Sequence, residues 1–222
     1  MSDRIAVIFD LDGTLIDSAP DIHAAANKVF ATKGLEPFPF EVVRCFIGNG
    51  VGVLVSRLLA NRGLVSDGVL HADMVREFIA IYEDAFDLTT LYPGVDDMLT
   101  TLRTAGHPLG ICTNKPASPA RSALRHFGLD RYFTVVIGGD SLPERKPHPA
   151  PLLAARTDLQ TARAIFVGDS EVDAETARAA QVPLALFTGG YRKSAPETLG
   201  ARVLFDHHSA LPRLISGLLA EL

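Results

Sequence analysis

Residues 5–14 read IAVIFDLDGT, an apolar run followed by two acids, a glycine and a threonine. Five consecutive apolar residues, most of them β-branched or aromatic, indicate a strand that is buried on both faces of a parallel sheet. Asp10 and Asp12 come directly after this strand, where open α/β sheets place their ligands. Gly13 allows a sharp turn, so both carboxylates can approach one site, and such a pair requires a cation. We therefore predict a cation-dependent site at the end of the first strand.

The segment after this stretch has helical spacing as far as about residue 90. Apolar residues recur three and four positions apart, and Gly34 and Gly63 are typical helix stops. The pattern predicts helices at about 20–34, 39–46, 51–62 and 70–86. None of these segments alternates like a strand, so we expect an all-helical insertion beside the two acids.

From residue 109 onward, short apolar runs alternate with helical stretches. Strands are predicted at 109–113, 134–137, 164–167, 184–187 and 202–205, and helices at 95–105, at 118–128 and from about 209. This alternation predicts a parallel sheet with right-handed crossovers. The expected fold is α/β: a doubly wound parallel sheet, or Rossmann-like core, of residues 1–16 and 91–222, with an inserted all-helical cap domain at 17–90.

Composition limits the classes of function. The 222 residues are nearly half apolar and hold no low-complexity tract, which indicates an ordered globular protein. A net charge of -5 with scattered Lys and Arg argues against nucleic-acid binding. Cys45 and Cys112 form no metal-type cluster, no segment is apolar enough to span a bilayer, and the N-terminus lacks the form of a signal peptide. We expect a cytoplasmic monomer or homodimer with no nucleic-acid or membrane partner.

Polar side chains follow three further predicted strands or lie close behind them. These motifs are Thr113-Asn114-Lys115, Arg145-Lys146-Pro147 and the stretch GDSEVD at 168–173. The carboxyl ends of parallel strands meet at one edge of a sheet, so these motifs are expected to share one site. Helix capping alone is the weaker interpretation, because it does not require a lysine at such a position.

In this order the motifs resemble those of the haloacid dehalogenase superfamily of phosphohydrolases, in the subgroup with a helical cap. The resemblance rests on DLDGT at 10–14, on Thr113, on Lys146 before Pro147, and on the acidic motif at 168–173. It implies that Asp10 is the nucleophile that takes the phosphoryl group as an aspartyl phosphate. It also implies that Asp12 is the general acid and base.

The resemblance further implies a bound Mg²⁺ ion, because a carboxylate and a phosphate dianion repel each other. Oxygen ligands would come from Asp10, the main-chain carbonyl of Asp12, and Asp169. Asp173 is expected to orient a metal-bound water or Lys146.

The remaining core residues are expected to bind the phosphoryl group. Lys146 would offset the charge on the phosphoryl oxygens and on Asp10, while Thr113 and Asn114 donate hydrogen bonds. For Lys115, phosphate binding and a solvated lysine before the next helix remain equal alternatives.

The cap is expected to select the phosphate ester. DLDGTLIDSAPDIHAAAN at 10–27 and IGNGV at 47–51 resemble the bacterial phosphoglycolate phosphatase family, which implies conversion of 2-phosphoglycolate to glycolate and phosphate. Gly48, Asn49 and Gly50 would then hold the small phosphorylated metabolite through main-chain N–H groups, with Arg44 as a carboxylate partner. The alternatives are an Asn-Gly turn between cap helices and a solvated Arg44.

Related activities remain open. A phosphatase for a sugar phosphate or pyrophosphate, or a sugar phosphomutase of the same superfamily, would use the same Asp10 and Asp12. A dehalogenase would need neither Mg²⁺ nor Asp12, and a non-catalytic protein on this fold could lose the acids that this chain keeps. We expect structural positions for other polar residues: a helix start for His148, a surface pair for His207-His208, and a loop for Tyr191-Arg192, with contact to the active site as the alternative for that last pair.

Overall fold

The described part of the chain comprises residues 5–83 and 85–221 of a computed structural model. In chain order the strands are β1 (Ile5–Phe9), β2 (Ile16–Asp17), β3 (Thr90–Leu91), β4 (Leu109–Cys112), β5 (Val135–Ile137), β6 (Arg163–Gly168), β7 (Leu184–Phe187) and β8 (Val203–Phe205). The α-helices are α1 (Ala19–Thr32), α2 (Phe40–Arg44), α3 (Val51–Asn61), α4 (Gly68–Tyr82), α5 (Val95–Thr104), α6 (Ala117–His126), α7 (Ala150–Asp158), α8 (Glu171–Ala180) and α9 (Leu211–Glu221).

The central sheet is parallel, and its described strands lie in the order β5-β4-β1-β6-β7-β8. β1 pairs with β4 on one side and with β6 on the other, so that Val7 lies opposite both Leu109 and Ile165. The chain first builds the sheet outward through β4 and β5, and then crosses β1 to build the other half. This reversal opens a crevice at the carboxyl end of β1, which is where such sheets bind ligands.

Apolar side chains cover both faces of β1, as its sequence predicts. Ile5, Val7 and Phe9 pack in one hydrophobic cluster with residues of α5, α6 and α9. Ala6 and Ile8 pack in a second cluster with residues of α7 and α8. Helices therefore cover the two faces of the sheet, and the predicted doubly wound α/β core is confirmed.

The inserted helices α1 to α4 have a hydrophobic core of their own. Its fully buried members include Val29, Leu58, Met74 and Phe78, which lie on three of the four helices. The inserted all-helical cap is confirmed. The predicted fourth helix is wrong at its end, because α4 stops at Tyr82 and Phe86 stacks instead on His126 of the core, with ring centroids 4.8 Å apart.

Two short strands join the core to the cap, and the sequence pattern did not predict them. Ile16 pairs with Leu91 and Asp17 with Thr90 in an antiparallel arrangement. Strands of two residues are too short to show alternation, so periodicity cannot find them. The pair lies at the predicted limits of the cap, although the division into 1–16, 17–90 and 91–222 remains a prediction. In the described residues, no helix has both the length and the apolar character needed to cross a bilayer.

Candidate active site

The turn after β1 holds the first two acids at the edge of the sheet. Asp10 continues the strand, since its N–H donates to the carbonyl of Val167 over 2.8 Å. The chain then turns at Gly13, whose φ of +85° favours glycine. A Cβ atom at Gly13 would lie 2.7 Å from Oδ2 of Asp169, so this position also permits the close approach of β1 and β6.

Three buried carboxylates meet at this edge. One oxygen each from Asp10, Asp169 and Asp173 lies within 4.8 Å of the others, a group that could hold a metal ion. Asp169 is held in place by two donors, the Thr14 hydroxyl at 2.8 Å and the Tyr191 N–H at 2.6 Å. The sequence therefore brings Asp10 and Asp169 together as predicted, with Asp173 beside them.

Asp173 holds Lys146 against Asp10. At the start of α8 it accepts hydrogen bonds from the N–H and the hydroxyl of Ser170, at 3.1 and 2.6 Å, and from the N–H of Asp169 at 3.2 Å. It also accepts one from Lys146 Nζ at 2.7 Å, and the same ammonium lies 3.0 Å from Oδ1 of Asp10. This geometry suits the positioning role that we predicted for Asp173.

The electrostatics of the three acids favour a cation. Burial raises the pKa of Asp10 to about 6, partly offset by the charge of Lys146. Burial, together with the charges of Asp173 and Asp10, raises the pKa of Asp169 well above its usual value. Burial lowers the pKa of Lys146, but Asp10 and Asp173 outweigh that effect and keep it an ammonium. One ammonium for three acids leaves excess buried negative charge, which a divalent cation would offset.

The second acid, Asp12, lies at the boundary between core and cap. Its Oδ1 accepts hydrogen bonds from the Ser18 hydroxyl at 2.7 Å and from Lys115 Nζ at 3.2 Å. Lys115 also donates to the hydroxyl of Tyr82 at the end of α4, over 2.5 Å. Lys115 is only 5% exposed, so its interpretation as a solvated lysine is wrong. No local sequence pattern indicates this burial, because it depends on a cap helix distant in the chain.

The motif after β4 connects the two parts of the molecule. Thr113 is buried, and its hydroxyl accepts the N–H of Lys115 at 3.2 Å. The Asn114 amide donates to the carbonyl of Gly48 in the cap at 2.9 Å and to that of Lys146 at 3.0 Å. Asn114 therefore binds protein backbone on both sides of the cleft.

A small cavity lies between core and cap. Its core side is formed by Asp10, Asp12, Thr113, Asn114 and Lys115, and its cap side by Ile22, Ile47, Gly48, Gly50, Val51, Leu54, Phe78 and Tyr82. Its volume of about 40 Å³ is room for about three water molecules. The wall opposite the acids is mainly apolar. The core must therefore supply most of the polar contacts of a ligand bound here.

The structure places only some of the predicted substrate-binding residues of the cap at the cavity. Gly48 and Gly50 line the cavity. Asn49 does not, and lies in a separate surface pocket with Arg57 and Lys193. Arg44 is also elsewhere, because its guanidinium donates to the carbonyl of Gly190 at 3.0 Å. In this conformation the structure does not bring Arg44 and Asn49 to the acids.

Tyr191 lies in the predicted loop, and it also contacts the site, which was the less favoured alternative from the sequence. Its hydroxyl accepts the N–H groups of Ser18 and Ala19, at 2.8 and 3.0 Å, and donates to Asp17 at 2.8 Å. Its own N–H binds Asp169, as described above. Tyr191 thus joins the core–cap connection to the acid cluster. Its position after a strand was the available signal, but these partners are remote in sequence.

The predicted surface pair His207-His208 is wrong for one member. His207 is exposed, whereas His208 is 1% exposed and its Nε2 lies 2.8 Å from the carbonyl of Thr14. Its ring packs on Phe187, with centroids 4.5 Å apart. The ring of His208 is buried because it packs among aromatic side chains, and the sequence does not reveal this packing.

The other two predicted structural positions agree with the structure. His148 lies just before α7, and its Nδ1 accepts the N–H of Ala150 at 3.2 Å. Arg192 lies in the loop after β7 and donates to the carbonyl of Thr188.

Comparisons with known proteins agree with this geometry. A family model described as haloacid dehalogenase-like hydrolase matches residues 7–187. A phosphoglycolate phosphatase of Cereibacter sphaeroides is 50% identical over 96% of this chain and 99% of its own length, and one of Rhodobacter capsulatus is 45% identical over 96% and 97%. The crystal structure of a predicted phosphoglycolate phosphatase from Haemophilus somnus superposes with a TM-score of 0.89 at 30% identity, covering 97% of this chain and 99% of that one.

Proposed function

The chain belongs to the haloacid dehalogenase-like hydrolase family, and from that membership we propose that it hydrolyses 2-phosphoglycolate to glycolate and inorganic phosphate. It is a phosphoric monoester hydrolase, since its relatives at about half identity carry the name phosphoglycolate phosphatase. The finer parts of the proposal are an aspartyl-phosphate intermediate on Asp10 and a requirement for Mg²⁺. The observation that carries it is that Asp10 and Asp12 line one cavity between core and cap, with Lys146 on Asp10.

In the first step Asp10 attacks the phosphorus atom. A bond forms between its carboxylate oxygen and phosphorus, and the bond from phosphorus to the ester oxygen breaks. Asp10 must be ionised for this step, and a pKa of about 6 leaves it ionised at neutral pH. Lys146, 3.0 Å from Asp10, offsets the negative charge that builds up as phosphate and carboxylate approach.

Asp12 moves the protons in both steps. It gives a proton to the leaving ester oxygen, and glycolate departs as an alcohol. It then takes a proton from a water molecule, whose oxygen attacks phosphorus and returns Asp10 to the free carboxylate. Hydrogen bonds from Ser18 and Lys115 to Oδ1 hold the Asp12 side chain at the cavity for both transfers.

The acid cluster fits a hard divalent cation. Asp10 and Asp169 would be its side-chain ligands, with the main-chain carbonyl of Asp12 as a third oxygen donor. Oδ1 of Asp10 is buried and makes no aligned hydrogen bond to any described residue, so a lone pair is available. When bound, Mg²⁺ supplies positive charge that lets a carboxylate approach a phosphate dianion. Asp173 already makes four hydrogen bonds, which suits positioning of Lys146 rather than direct ligation.

The cap wall of the cavity favours a substrate with few hydroxyl groups. Its mainly apolar side chains offer few partners for the hydroxyl groups of a sugar phosphate. A sugar phosphomutase would also need room for a bisphosphate to reorient within the site. We therefore prefer a two-carbon ester to these alternatives.

Kinetics with a panel of phosphate esters test the proposal. The values of kcat/KM in Mg²⁺ are measured for 2-phosphoglycolate, glucose 6-phosphate, β-glucose 1-phosphate and pyrophosphate. We expect 2-phosphoglycolate to exceed each of the others by about 100-fold or more, because the rivals lose binding contacts. Equal or better hydrolysis of a sugar phosphate or pyrophosphate would contradict the substrate assignment.

A further inference from the structure

Lys115 places a buried ammonium group in the cavity, on the side of the leaving group. Among the described residues that line the cavity, it is the one cationic side chain. Lys146 contacts Asp10, the nucleophile, whereas Lys115 contacts Asp12, the residue that protonates the leaving oxygen. The two lysines therefore lie at different ends of the reaction, and the mechanism above requires a charge only from Lys146.

The ammonium of Lys115 has a hydrogen-bond donor to spare. A protonated lysine has three N–H donors. Within the described residues, two acceptors contact it: Oδ1 of Asp12 at 3.2 Å and the hydroxyl of Tyr82 at 2.5 Å. Its exposure of 5% means that bulk water does not compete strongly for the third donor. Burial lowers the pKa of Lys115, and the neighbouring carboxylate of Asp12 opposes that shift.

The chemistry of the ester places a carboxylate near this donor. Asp12 must reach the leaving oxygen at hydrogen-bond distance to protonate it. In 2-phosphoglycolate the carbon that bears this oxygen also bears the carboxylate. A substrate oriented for proton transfer from Asp12 therefore brings its carboxylate to the side of the cavity where Lys115 lies.

Within the described residues, the other cations near the cleft do not line the cavity. Arg44 donates to the carbonyl of Gly190, Arg145 is exposed, and Lys146 is buried between Asp10 and Asp173. Apart from the carboxylates of Asp10 and Asp12, the remaining walls offer backbone, amide, hydroxyl and apolar groups. A carboxylate in this cavity would therefore find its ion-pair partner at Lys115.

We propose that Lys115 is the specificity-determining residue for phosphate esters whose leaving alcohol carries a carboxylate. The inference rests on the proposed function, which it extends from the reaction to the choice of leaving group. Tyr82 completes the site from the cap, because its hydroxyl accepts from the ammonium, whose Nζ lies 3.9 Å from the centroid of the ring. Carboxylate binding is thus linked to the position of helix α4.

The test compares two substrates that differ in the carboxylate. Values of kcat/KM are measured for 2-phosphoglycolate and for 2-hydroxyethyl phosphate, which has a hydroxymethyl group in its place. In Lys115→Met we expect kcat/KM for 2-phosphoglycolate to fall about 100-fold, as for removal of one partner of a buried charge pair. The ratio of kcat/KM for 2-phosphoglycolate to kcat/KM for 2-hydroxyethyl phosphate should fall at least about tenfold. Effects that act through Asp12 influence both substrates and cancel in this ratio. Lys115→Gln, which keeps a donor but no charge, should lose the preference as well, and it replaces the Met variant if that one does not fold.

Matched controls separate this inference from the proposed function. Lys33→Met removes a surface lysine that pairs with Glu77 at 2.9 Å, and it should keep the wild-type ratio. The inference would be overturned if both Lys115 variants kept the wild-type ratio of the two kcat/KM values. It would also be overturned if Arg44→Met, and not the Lys115 variants, lost that ratio. If the wild-type enzyme hydrolyses the two esters equally, the proposed substrate itself is wrong.

Discussion

At the scale of single residues, Asp10 has two separable properties: it is the proposed nucleophile, and its buried charge is unfavourable. Asp10→Asn should lower kcat/KM by more than about 10⁴-fold, because an amide does not form the acyl phosphate. The metal-free protein should not lose thermal stability, since a carboxylate with a raised pKa is destabilising when ionised. Steady-state kinetics and a melting curve without Mg²⁺ check both parts. Near wild-type turnover in a folded variant would remove Asp10 as the nucleophile.

A buried histidine makes the fold sensitive to acid. Burial lowers the pKa of His208 from 6.5 to about 4. The unfolded chain therefore binds a proton more readily, and the free energy of unfolding should fall as pH decreases from 6.5 to 4, by at most about 3 kcal/mol. Urea denaturation of wild type and His208→Gln across this range measures the difference. The variant should show the shallower dependence, and parallel curves would exclude His208 as the cause.

Residues at strand ends were predictable, while their distant partners were not. Asp10, Asp12 and Asp169 follow apolar strands closely, and parallel packing brings such positions together. Lys146 lies further along, in the loop between β5 and α7. Tyr82 and Tyr191 reach the site over long sequence separations, and nothing local in the sequence marks those contacts. Prediction therefore placed the core of the site, but not the side chains that connect it to the cap.

At the scale of elements, the short pair β2 and β3 and the start of α1 form the connection between core and cap. The Tyr191 hydroxyl binds Asp17 and the N–H of Ser18 in this connection, and the main-chain N–H of Tyr191 donates to Asp169. Asp21 in α1 binds the returning segment, accepting from the Thr89 hydroxyl at 2.6 Å. These bonds fix where the cap lies over the cavity.

Removing the Tyr191 hydroxyl should weaken both the fold and substrate binding. Tyr191→Phe leaves two main-chain donors and Asp17 without this partner, at a cost of about 1–3 kcal/mol in the free energy of unfolding. We also expect KM to rise more than kcat falls, because the closed cap is less well held. Denaturation and steady-state kinetics check the two effects.

Tyr132→Phe is the matched control for this variant. It removes a hydroxyl that bonds to Thr100 and Asp96, on the core and away from the cavity. It should lower stability without raising KM. An equal rise of KM in both variants would show that the effect follows from general destabilisation and not from the core–cap connection.

At the scale of the whole molecule, sequence periodicity was sufficient to predict the parallel sheet and the helical insertion. It was not sufficient to predict the short strands and contacts that join core and cap. Long apolar runs and helical spacing determine which faces are buried, so the parallel sheet and the helical insertion followed from the pattern. The antiparallel pair at residues 16–17 and 90–91 is too short to leave a periodic signal. The contact of α4 with Lys115 depends on how the cap lies on the core, which no local pattern records.

Binding of Mg²⁺ should stabilise the folded protein as a whole. The cation offsets repulsion among buried acids and binds the folded state in preference to the unfolded one, so the melting temperature should rise with its concentration. Asp169→Asn should remove most of this rise, whereas Asp158→Asn, at an exposed position, should keep it. Scanning calorimetry with and without Mg²⁺ checks this. An unchanged rise in Asp169→Asn would place the metal elsewhere.

The most direct test of the central claim is a single turnover with 2-phosphoglycolate labelled with ³²P, quenched in acid on the millisecond timescale. We expect label to appear on the protein before free phosphate, to map to the peptide that contains Asp10, and to be released by hydroxylamine. Asp10→Asn should carry no label. Phosphate release with no labelled protein at any time would contradict transfer through Asp10 and indicate direct attack by water.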